Sequence, residues 1–316
     1  METPDVLKTA ALALVATLAA SAAVAQSAPT PEQTAAIKGD PAFKPQNLVL
    51  GALPKPTGPQ VALFNGRDLA DWEGWLGYAD PAKTYTKPPE APIGHTGADQ
   101  VFKVVQEDGA PALYASGKTW GALVHKGDYA NYHLRLEFKW GPGRWAPRVN
   151  LPPNNGLLYH SFGAHGAVFG TWMKSVEFEI MQGSTGMLVR VGEDVRPSTY
   201  AGHDPSIIYP HRRFMIGGRE VDVVTPAWNV ENHRDAEKPA GEWNTLDLYV
   251  LGDKAVHVVN GVPVLVAHDI KTVDESGKRT PLTHGRIQLQ SEGAETFFRN
   301  IVLEPINALP TVTAKK

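Results

Sequence analysis

The sequence predicts an all-β fold in which two antiparallel sheets pack face to face. In residues 133–140 apolar and polar residues alternate strictly, as in a half-buried strand. Asn260-Gly261 lies between two apolar runs and suits the positive φ angles of a two-residue hairpin turn. Similar segments suggest about a dozen strands and no clear amphipathic helix after the N-terminal segment. Many strands without helices bury one face against another sheet, which predicts a sandwich.

The composition is that of a soluble globular protein. The 316 residues are 42% hydrophobic and 20% charged, and 30 Gly and 26 Pro fit a fold with many turns. The formal net charge of −3 provides no field that would attract nucleic acid or an anionic membrane. We therefore expect neither as a partner, and a small-molecule or oligosaccharide substrate instead.

The first 25 residues have the pattern of a signal peptide. An apolar run at residues 9–20 is followed by the small-x-small site Ala23-Val24-Ala25, immediately before Gln26. The run is too short to span a bilayer comfortably, which favours cleavage over anchoring. The n-region departs from the pattern, because Lys8 is accompanied by two acidic residues. We expect a periplasmic or secreted protein.

The chain contains no cysteine. This excludes disulfides, a thiol nucleophile, cysteine-ligated zinc and a lipoprotein-type acylated cysteine. The histidines have no helical metal spacing, so no transition-metal cofactor is expected. A loop-bound divalent cation such as Ca²⁺, held by oxygen ligands, stays open as an alternative.

The pattern divides the chain into four segments. Residues 1–25 are the signal peptide, and residues 26–58 are rich in proline and read as a linker. Residues 59–308 form one β-sandwich domain without internal repeats, and residues 309–316 are a tail.

The most informative predicted strand covers residues 175–181. Alternation places its apolar residues Val176, Phe178 and Ile180 on the core face and Glu177 and Glu179 together on the other. Their Cβ atoms would lie about 7 Å apart, given the rise of a strand. Two like charges at this spacing raise the pKa of one of them, which suits acid–base chemistry. The structural alternative is a solvated outer face.

Residues around this strand are those of a sugar site. A second predicted strand starts at Asn154-Asn155 and ends at His160, and Trp172 and Lys174 lead into the glutamate strand. They would supply an aromatic platform, polar donors and a proton shuttle. Taken singly, Trp172 is more often a core residue and His160 a structural histidine. Alternation places Asn155 and His160 on opposite faces unless the register shifts.

Seven short motifs follow one another in a fixed order along the chain. They are Leu63–Leu69 with Asp71-Trp72, Asn155–His160, Trp172–Glu177, Glu242–Thr245, Asn260-Gly261, Gly285–Gly293 and Phe298–Ile301. This ordered set resembles the 3-keto-disaccharide hydrolase domain, also known as domain of unknown function 1080, and the resemblance extends over residues 61–306.

The resemblance implies a concanavalin-like jelly-roll sandwich that acts on glycosides oxidised to a ketone at C3. A separate sugar 3-dehydrogenase is then the expected functional partner. The ketone acidifies the C2 proton, so that a base can remove it and the C1 substituent can leave, and water then adds to the enone. This route needs a base at C2, an acid at the leaving oxygen and donors to the enolate oxygen.

Roles follow from the resemblance and the strand pattern. Glu177 matches the family position and is the expected base, His160 the expected acid, and Glu179 a carboxylate that tunes Glu177 by repulsion. Two residues depart from the family, which more often has Ser at Asn155 and Gln at Glu179. The candidate substrate contacts are Asn155, Trp172, Lys174, Gln182, Gln290, Glu292 and Arg299.

Two other functions stay open at this point. Jelly-roll glucanases carry E-x-D-x-x-E on one strand, and here the last position is Gln182, which cannot protonate a leaving group. A carbohydrate-binding module without catalysis is the third reading, although two carboxylates favour an enzyme.

Export gives a direct test. Because the small-x-small site precedes Gln26, protein recovered from the periplasm should begin at or near that residue. N-terminal sequencing measures this. An intact Met1 on soluble cytoplasmic protein would contradict both cleavage and export.

Overall fold

A computed structural model describes residues 30–86, 88–207 and 212–315, so the predicted signal peptide lies outside the described residues. They contain helices α1 (Pro31–Ala36) and α2 (Ala98–Val101) and one turn of 3₁₀-helix (Pro81–Lys83). None of these described helices has the length and hydrophobicity needed to cross a bilayer. The strands are β1 (Asn47–Leu50), β2 (Val61–Ala62), β3 (Trp72–Leu76), β4 (Phe102–Glu107), β5 (Ala110–Ala115), β6 (Gly121–His125), β7 (Tyr132–Arg144), β8 (Asn154–Phe162), β9 (Lys174–Met181), β10 (Leu188–Val191), β11 (Val195–His203), β12 (Arg212–Phe214), β13 (Arg219–Asp222), β14 (Asn229–Val230), β15 (Asn244–Leu251), β16 (Lys254–Val259), β17 (Val262–Val273), β18 (Arg279–Pro281), β19 (Arg286–Ser291), β20 (Ala294–Pro305) and β21 (Val312–Lys315).

Two antiparallel sheets form the body of the molecule. The seven-stranded sheet has the order β14-β10-β9-β8-β19-β6-β3. In the twelve-stranded sheet, nine strands follow the order β12-β11-β17-β16-β15-β7-β20-β5-β4, and β2, β13 and β18 pair beside β20, β11 and β17. The all-β sandwich of two antiparallel sheets that the sequence predicts is confirmed.

The core lies between the two sheets and follows the predicted alternation. From β7 the twelve-stranded sheet contributes Leu134, Leu136 and Phe138, and β9 of the other sheet contributes Val176, Phe178 and Ile180, all fully buried. The Phe178 ring stacks on His257 of β16 with centroids 4.3 Å apart. Each such apolar side chain contributes about 1.5–3 kcal/mol by burial. One face of β9 is therefore committed to the core.

The predicted hairpin at Asn260-Gly261 is confirmed. It joins β16 to β17, with Val259 paired with Val262. Both turn residues have positive φ, 49° and 78°, which fits a primed turn between twisted strands.

The chain ends are more ordered than the sequence indicated. Helix α1 begins at a capping box formed by Thr30 and Gln33, and β1 pairs with β21 along four residues of each strand. The side chain of Asp40 is fully buried and forms an ion pair with Arg212, in which Asp40 Oδ2 lies 2.7 Å from Arg212 Nε. Helix α1 and strand β1 thus lie within the segment predicted as a linker over 26–58, and β21 lies within the predicted tail over 309–316. The proline-rich sequence gives no sign that this segment is ordered, because its order depends on contacts with residues far away in the chain.

The buried ion pair predicts a large effect of one substitution. Asp40→Ala leaves the Arg212 guanidinium buried with a backbone carbonyl as its remaining partner, so the free energy of unfolding should fall by about 3–5 kcal/mol. The control is Glu90→Ala, which breaks an exposed pair with Lys83 and should change it by about 0–1 kcal/mol. Urea unfolding measures both. Equal losses would show that the Asp40 contact does not hold the N-terminal segment.

Candidate functional site

Glu177 and Glu179 lie together on the outer face of the seven-stranded sheet, the face turned away from the core. Alternation along β9 places them there, as predicted. Glu179 pairs with Gly156 of β8 and Glu177 with Leu158. Loops cover this face, so both side chains are buried, with 4% and 6% of their surface exposed. The solvated outer face that stood as the structural alternative is therefore excluded.

Glycine at position 156 makes room for the pair. A Cβ atom there would lie 2.0 Å from Glu177 Oε1 and 2.6 Å from Gln290 Oε1, which is closer than a Cβ atom comes to atoms to which it is not bonded. Gln290 projects from β19, the strand on the other side of β8, and hydrogen-bonds the Glu177 carboxyl group. Two side chains from non-adjacent strands thus meet above a residue that has none.

A third carboxyl group completes the cluster. Glu292 follows β19 and is 4% exposed. The Tyr85 hydroxyl donates to its Oε1 at 3.3 Å, and Asn154 of β8 hydrogen-bonds both Glu292 and Glu179. The buried carboxyl cluster, as we call Glu177, Glu179 and Glu292, therefore rests on three strands and one loop.

Burial raises the pKa of each of these carboxyl groups. It raises the pKa of Glu177 well above its usual value, and repulsion from Glu179 and Glu292 adds to this effect. Burial also raises the pKa of Glu179 to about 8, helped by Glu292 and opposed by Arg148 and Asn154. At neutral pH the pair is therefore mainly neutral, and it titrates as a unit because the two groups interact strongly.

Aromatic side chains form a wall beside the cluster. Tyr85 packs against Phe169 with centroids 5.0 Å apart, against Trp120 at 5.8 Å and against Trp172 at 6.2 Å. Tyr85 and Phe169 are 55% and 40% exposed, whereas the two tryptophans are buried. The indole Nε1 atoms of Trp120 and Trp172 are buried without a hydrogen-bond partner. The wall thus offers flat apolar surface and unused donors, as sugar rings require.

The structure does not place His160 in this site. A β-bulge lies between Tyr159 and Phe162, and within it His160 has a φ of 52°. The bulge turns the ring toward the twelve-stranded sheet, where Nε2 donates to the Gly252 carbonyl at 3.2 Å. Burial lowers the pKa of His160 to about 4. The structure thus places His160, the predicted acid, on the core side and away from the carboxyl groups.

Asn155 is also on the core side. Its Nδ2 donates to Thr296 Oγ1 of β20 at 3.1 Å. The register shift that would bring Asn155 and His160 to one side does occur, but that side faces the other sheet. The predicted substrate contact at Asn155 is wrong, and its neighbour Asn154 lies in the site instead.

Three further predicted contacts are corrected. By alternation along β9, Lys174 is on the same side of the strand as the core residues, and it forms an ion pair with Asp194 at 2.8 Å. Arg299 lies on the outer surface of the twelve-stranded sheet, beside an open cavity of about 400 Å³, where it pairs with Glu137 at 2.6 Å. Gln182 lies past the end of β9 and is exposed. Of the predicted contacts, Trp172, Gln290 and Glu292 do lie at the cluster.

Sequence reasoning missed five residues of the site. Asn154 had a signal, because counting alternation back from Gly156 places it on the outer face. The other four lie in loops, where the sequence has no periodicity that shows which way a side chain faces; they are Tyr85, Trp120, Arg148 and Phe169. Phe169 has a φ of 53°, a strained conformation for a bulky residue and one found at functional sites.

In residues 30–86, 88–207 and 212–315, no three His, Asp or Glu side chains are placed to hold a metal ion.

The family is shown by comparison with known domains. Residues 59–304 match the 3-keto-alpha-glucoside-1,2-lyase-like domain. The chain belongs to this family, which confirms the resemblance carried by the sequence motifs.

Solved structures match the chain at low identity. A candidate glycosyl hydrolase from Parabacteroides distasonis is 17% identical, with 78% of this chain and 94% of that chain covered and a TM-score of 0.45. A protein with a galectin-like fold from Bacillus subtilis is 10% identical (81% and 100% covered, TM-score 0.44). The β-glucanase of Bacillus licheniformis is also 10% identical (79% and 100%, TM-score 0.38). Similarity at this level does not indicate what the chain acts on. A comparison with curated proteins finds no match.

The protonated cluster makes stability depend on pH. In the unfolded chain glutamates ionise near 4.5, whereas in the folded protein the pKa of Glu179 is about 8 and burial raises the pKa of Glu177 well above its usual value. The unfolded state therefore binds fewer protons between these values, and the stability of the wild type should fall as the pH rises from 4.5 to 8. Glu179→Gln removes part of this effect. The variant should match the wild type at pH 4.5 and exceed it by more than about 1 kcal/mol at pH 8.

Urea unfolding at the two pH values measures this difference. The exposed substitution Glu275→Gln is the control and should show no such trend. If the advantage of Glu179→Gln does not grow with pH, the group is not held neutral in the folded protein.

Proposed function

We propose that the protein cleaves 3-keto glycosides by removing the C2 proton, eliminating the C1 substituent and adding water to the product. Family membership supports the substrate class. The observation that carries the proposal is the buried carboxyl cluster beside an aromatic wall, since it holds both a proton acceptor and a proton donor next to a surface that suits a sugar ring.

Glu177 is the proposed base. Its Oε1 atom is buried without a hydrogen-bond partner, so a lone pair is free to accept a proton in the site. Gln290 holds the carboxyl group in position. The raised pKa matters because a carboxylate with a high pKa is a stronger base than an ordinary one, and a C2 proton beside a ketone needs such a base.

Glu179 replaces His160 as the proposed acid. With a pKa of about 8 it carries a proton at neutral pH. Once the pair has lost one proton, repulsion keeps the second one in place, so that one carboxylate and one carboxylic acid face the substrate together. The pKa of both groups is raised, so we assign the remaining proton to Glu179 because Glu177 has the motif position that the family resemblance gives to the base. This state has the base and the acid that elimination requires.

The proton balance closes over the two steps. Glu177 takes the C2 proton, the C1=C2 double bond forms, the C1–O bond breaks, and Glu179 protonates the leaving oxygen. Glu179 is then ionised and Glu177 protonated. When water adds, Glu179 takes a proton from it at C1 and Glu177 returns one to C2, which restores the starting state.

The aromatic wall is the proposed binding surface for the sugar ring. Trp172 and Trp120 present indole donors that no protein group uses, and these suit ring hydroxyls. Tyr85 and Phe169 present exposed faces on which a ring can pack.

The biological setting belongs to the same proposal. The apolar run and the Ala23-Val24-Ala25 site support a periplasmic or secreted location. The substrate carries a ketone at C3, so a separate sugar 3-dehydrogenase must supply it.

The test compares a 3-keto glucoside with its unoxidised parent in deuterated solvent. Wild-type protein should release the aglycone and place deuterium at C2 with the keto substrate alone. Glu177→Gln keeps the shape and removes the basicity, so both rates should fall by about 10²–10⁴. Glu275→Gln is the matched control and should keep the wild-type rate.

The other functions give different results. Equal cleavage of keto and parent glucosides would indicate a conventional glycoside hydrolase. Binding without cleavage of either would indicate a carbohydrate-binding module. A folded Glu177→Gln variant that exchanges and cleaves at the wild-type rate would pass the role of base to Glu179.

A further inference from the structure

The proposed reaction forms a negatively charged intermediate in a site that is lined with carboxyl groups. When the C2 proton leaves, the electron pair moves onto the C3 oxygen as an enolate. Glu177 and Glu179 are engaged in the two proton transfers, and a carboxylate at Glu292 or at the buried Glu231 would repel an anion. A donor that keeps its positive charge is therefore needed, and this requirement rests on the proposed function.

Arg148 reaches the cluster from the loop between β7 and β8. Its charge favours the ionised forms of Glu179, Glu292 and Tyr85. Its backbone is held by a hydrogen bond to the Trp145 carbonyl at 2.9 Å. Arg148 Cβ packs against Gly293, where an added Cβ would approach it to 2.9 Å. The guanidinium is thus positioned beside the carboxyl groups by a fixed loop.

The donors of Arg148 are almost unused. Among the described residues it forms no ion pair, and Nη2 contacts Met181 Sδ at 3.7 Å, a weak acceptor. The Nε atom is buried without a hydrogen-bond partner. Arg213, by contrast, reaches a carboxylate at 2.7 Å. A buried donor without a partner costs about 1–3 kcal/mol of stability, and a hydrogen bond to a ligand oxygen would remove this cost.

We propose that Arg148 binds the C3 oxygen of the substrate and stabilises the enolate formed when the C2 proton is removed. The guanidinium group is planar and carries several N–H donors, two of which can converge on the C3 oxygen. A guanidinium group adds a positive charge to the site without taking part in the proton transfers between Glu177 and Glu179. Arg148 then acts as a catalytic residue.

The experiment uses the full mature protein with a 3-keto aryl glucoside, in deuterated solvent. Arg148→Ala should lower both kcat and the rate of deuterium exchange at C2 by about 10²–10³, because the enolate forms in the exchange step, and KM should change less. Added guanidinium ion should restore part of both rates. Arg148→Lys should lie between, since it keeps the charge and loses the planar set of donors.

Arg144→Ala is the matched control. It lies in the same part of the chain, but its Nη1 donates to the Gly141 and Gly143 carbonyls, so its loss should leave the rates within a few fold and guanidinium should not alter them. Circular dichroism and thermal unfolding establish that each variant is folded. Rescue of exchange is a readout that a structural arginine would not give.

Two results would overturn the assignment while leaving the proposed function intact. One is a folded Arg148→Ala variant that exchanges the C2 proton at the wild-type rate. The other is a loss that lies wholly in KM, which would make Arg148 a binding residue alone. If the wild type neither exchanges nor cleaves the keto glucoside, the proposed function fails and the assignment to Arg148 fails with it.

Discussion

The arrangement of the site depends on the empty space above Gly156. Neighbouring strands hold side chains about 5 Å apart across a sheet, and β8 separates β9 from β19. Glu177 and Gln290 therefore meet only if the residue between them projects nothing, and a Cβ atom there would collide with both. The contact brings an amide against a carboxyl group and leaves one carboxyl oxygen free. Every other feature of the buried carboxyl cluster is added around this contact.

Burial on the outer face is the second condition. A strand that exposed Glu177 and Glu179 to water would leave them as ordinary ionised carboxylates. Here the loops that carry Tyr85, Arg148 and Phe169 exclude water, and the pKa of Glu179 rises to about 8. The core side of the same strand, with Phe178 against His257, anchors β9 against the other sheet. One strand thus stabilises the sandwich with one face and holds neutral acids on the other.

The strand pattern was enough to predict the sandwich, the hairpin at Asn260-Gly261 and the shared face of Glu177 and Glu179, because period two is a property of the backbone. The prediction from alternation failed at His160. A bulge there adds one residue to the strand, so the side chains beyond it point to the opposite face of the sheet. Tyr85 and Arg148 could not be predicted. Their positions are set by loop paths and tertiary contacts that leave no periodic trace in the sequence.

The pairing of β1 with β21 brings together residues that are far apart in the sequence, with Leu50 opposite Val312. Ribosomal synthesis delivers β21 after every strand of the two large sheets, so β1 has no mate while those strands are being made. During that time β1 is an open edge, a template for pairing with other molecules. Pairing with β21 therefore removes this edge only after the strands of the sandwich have been synthesised.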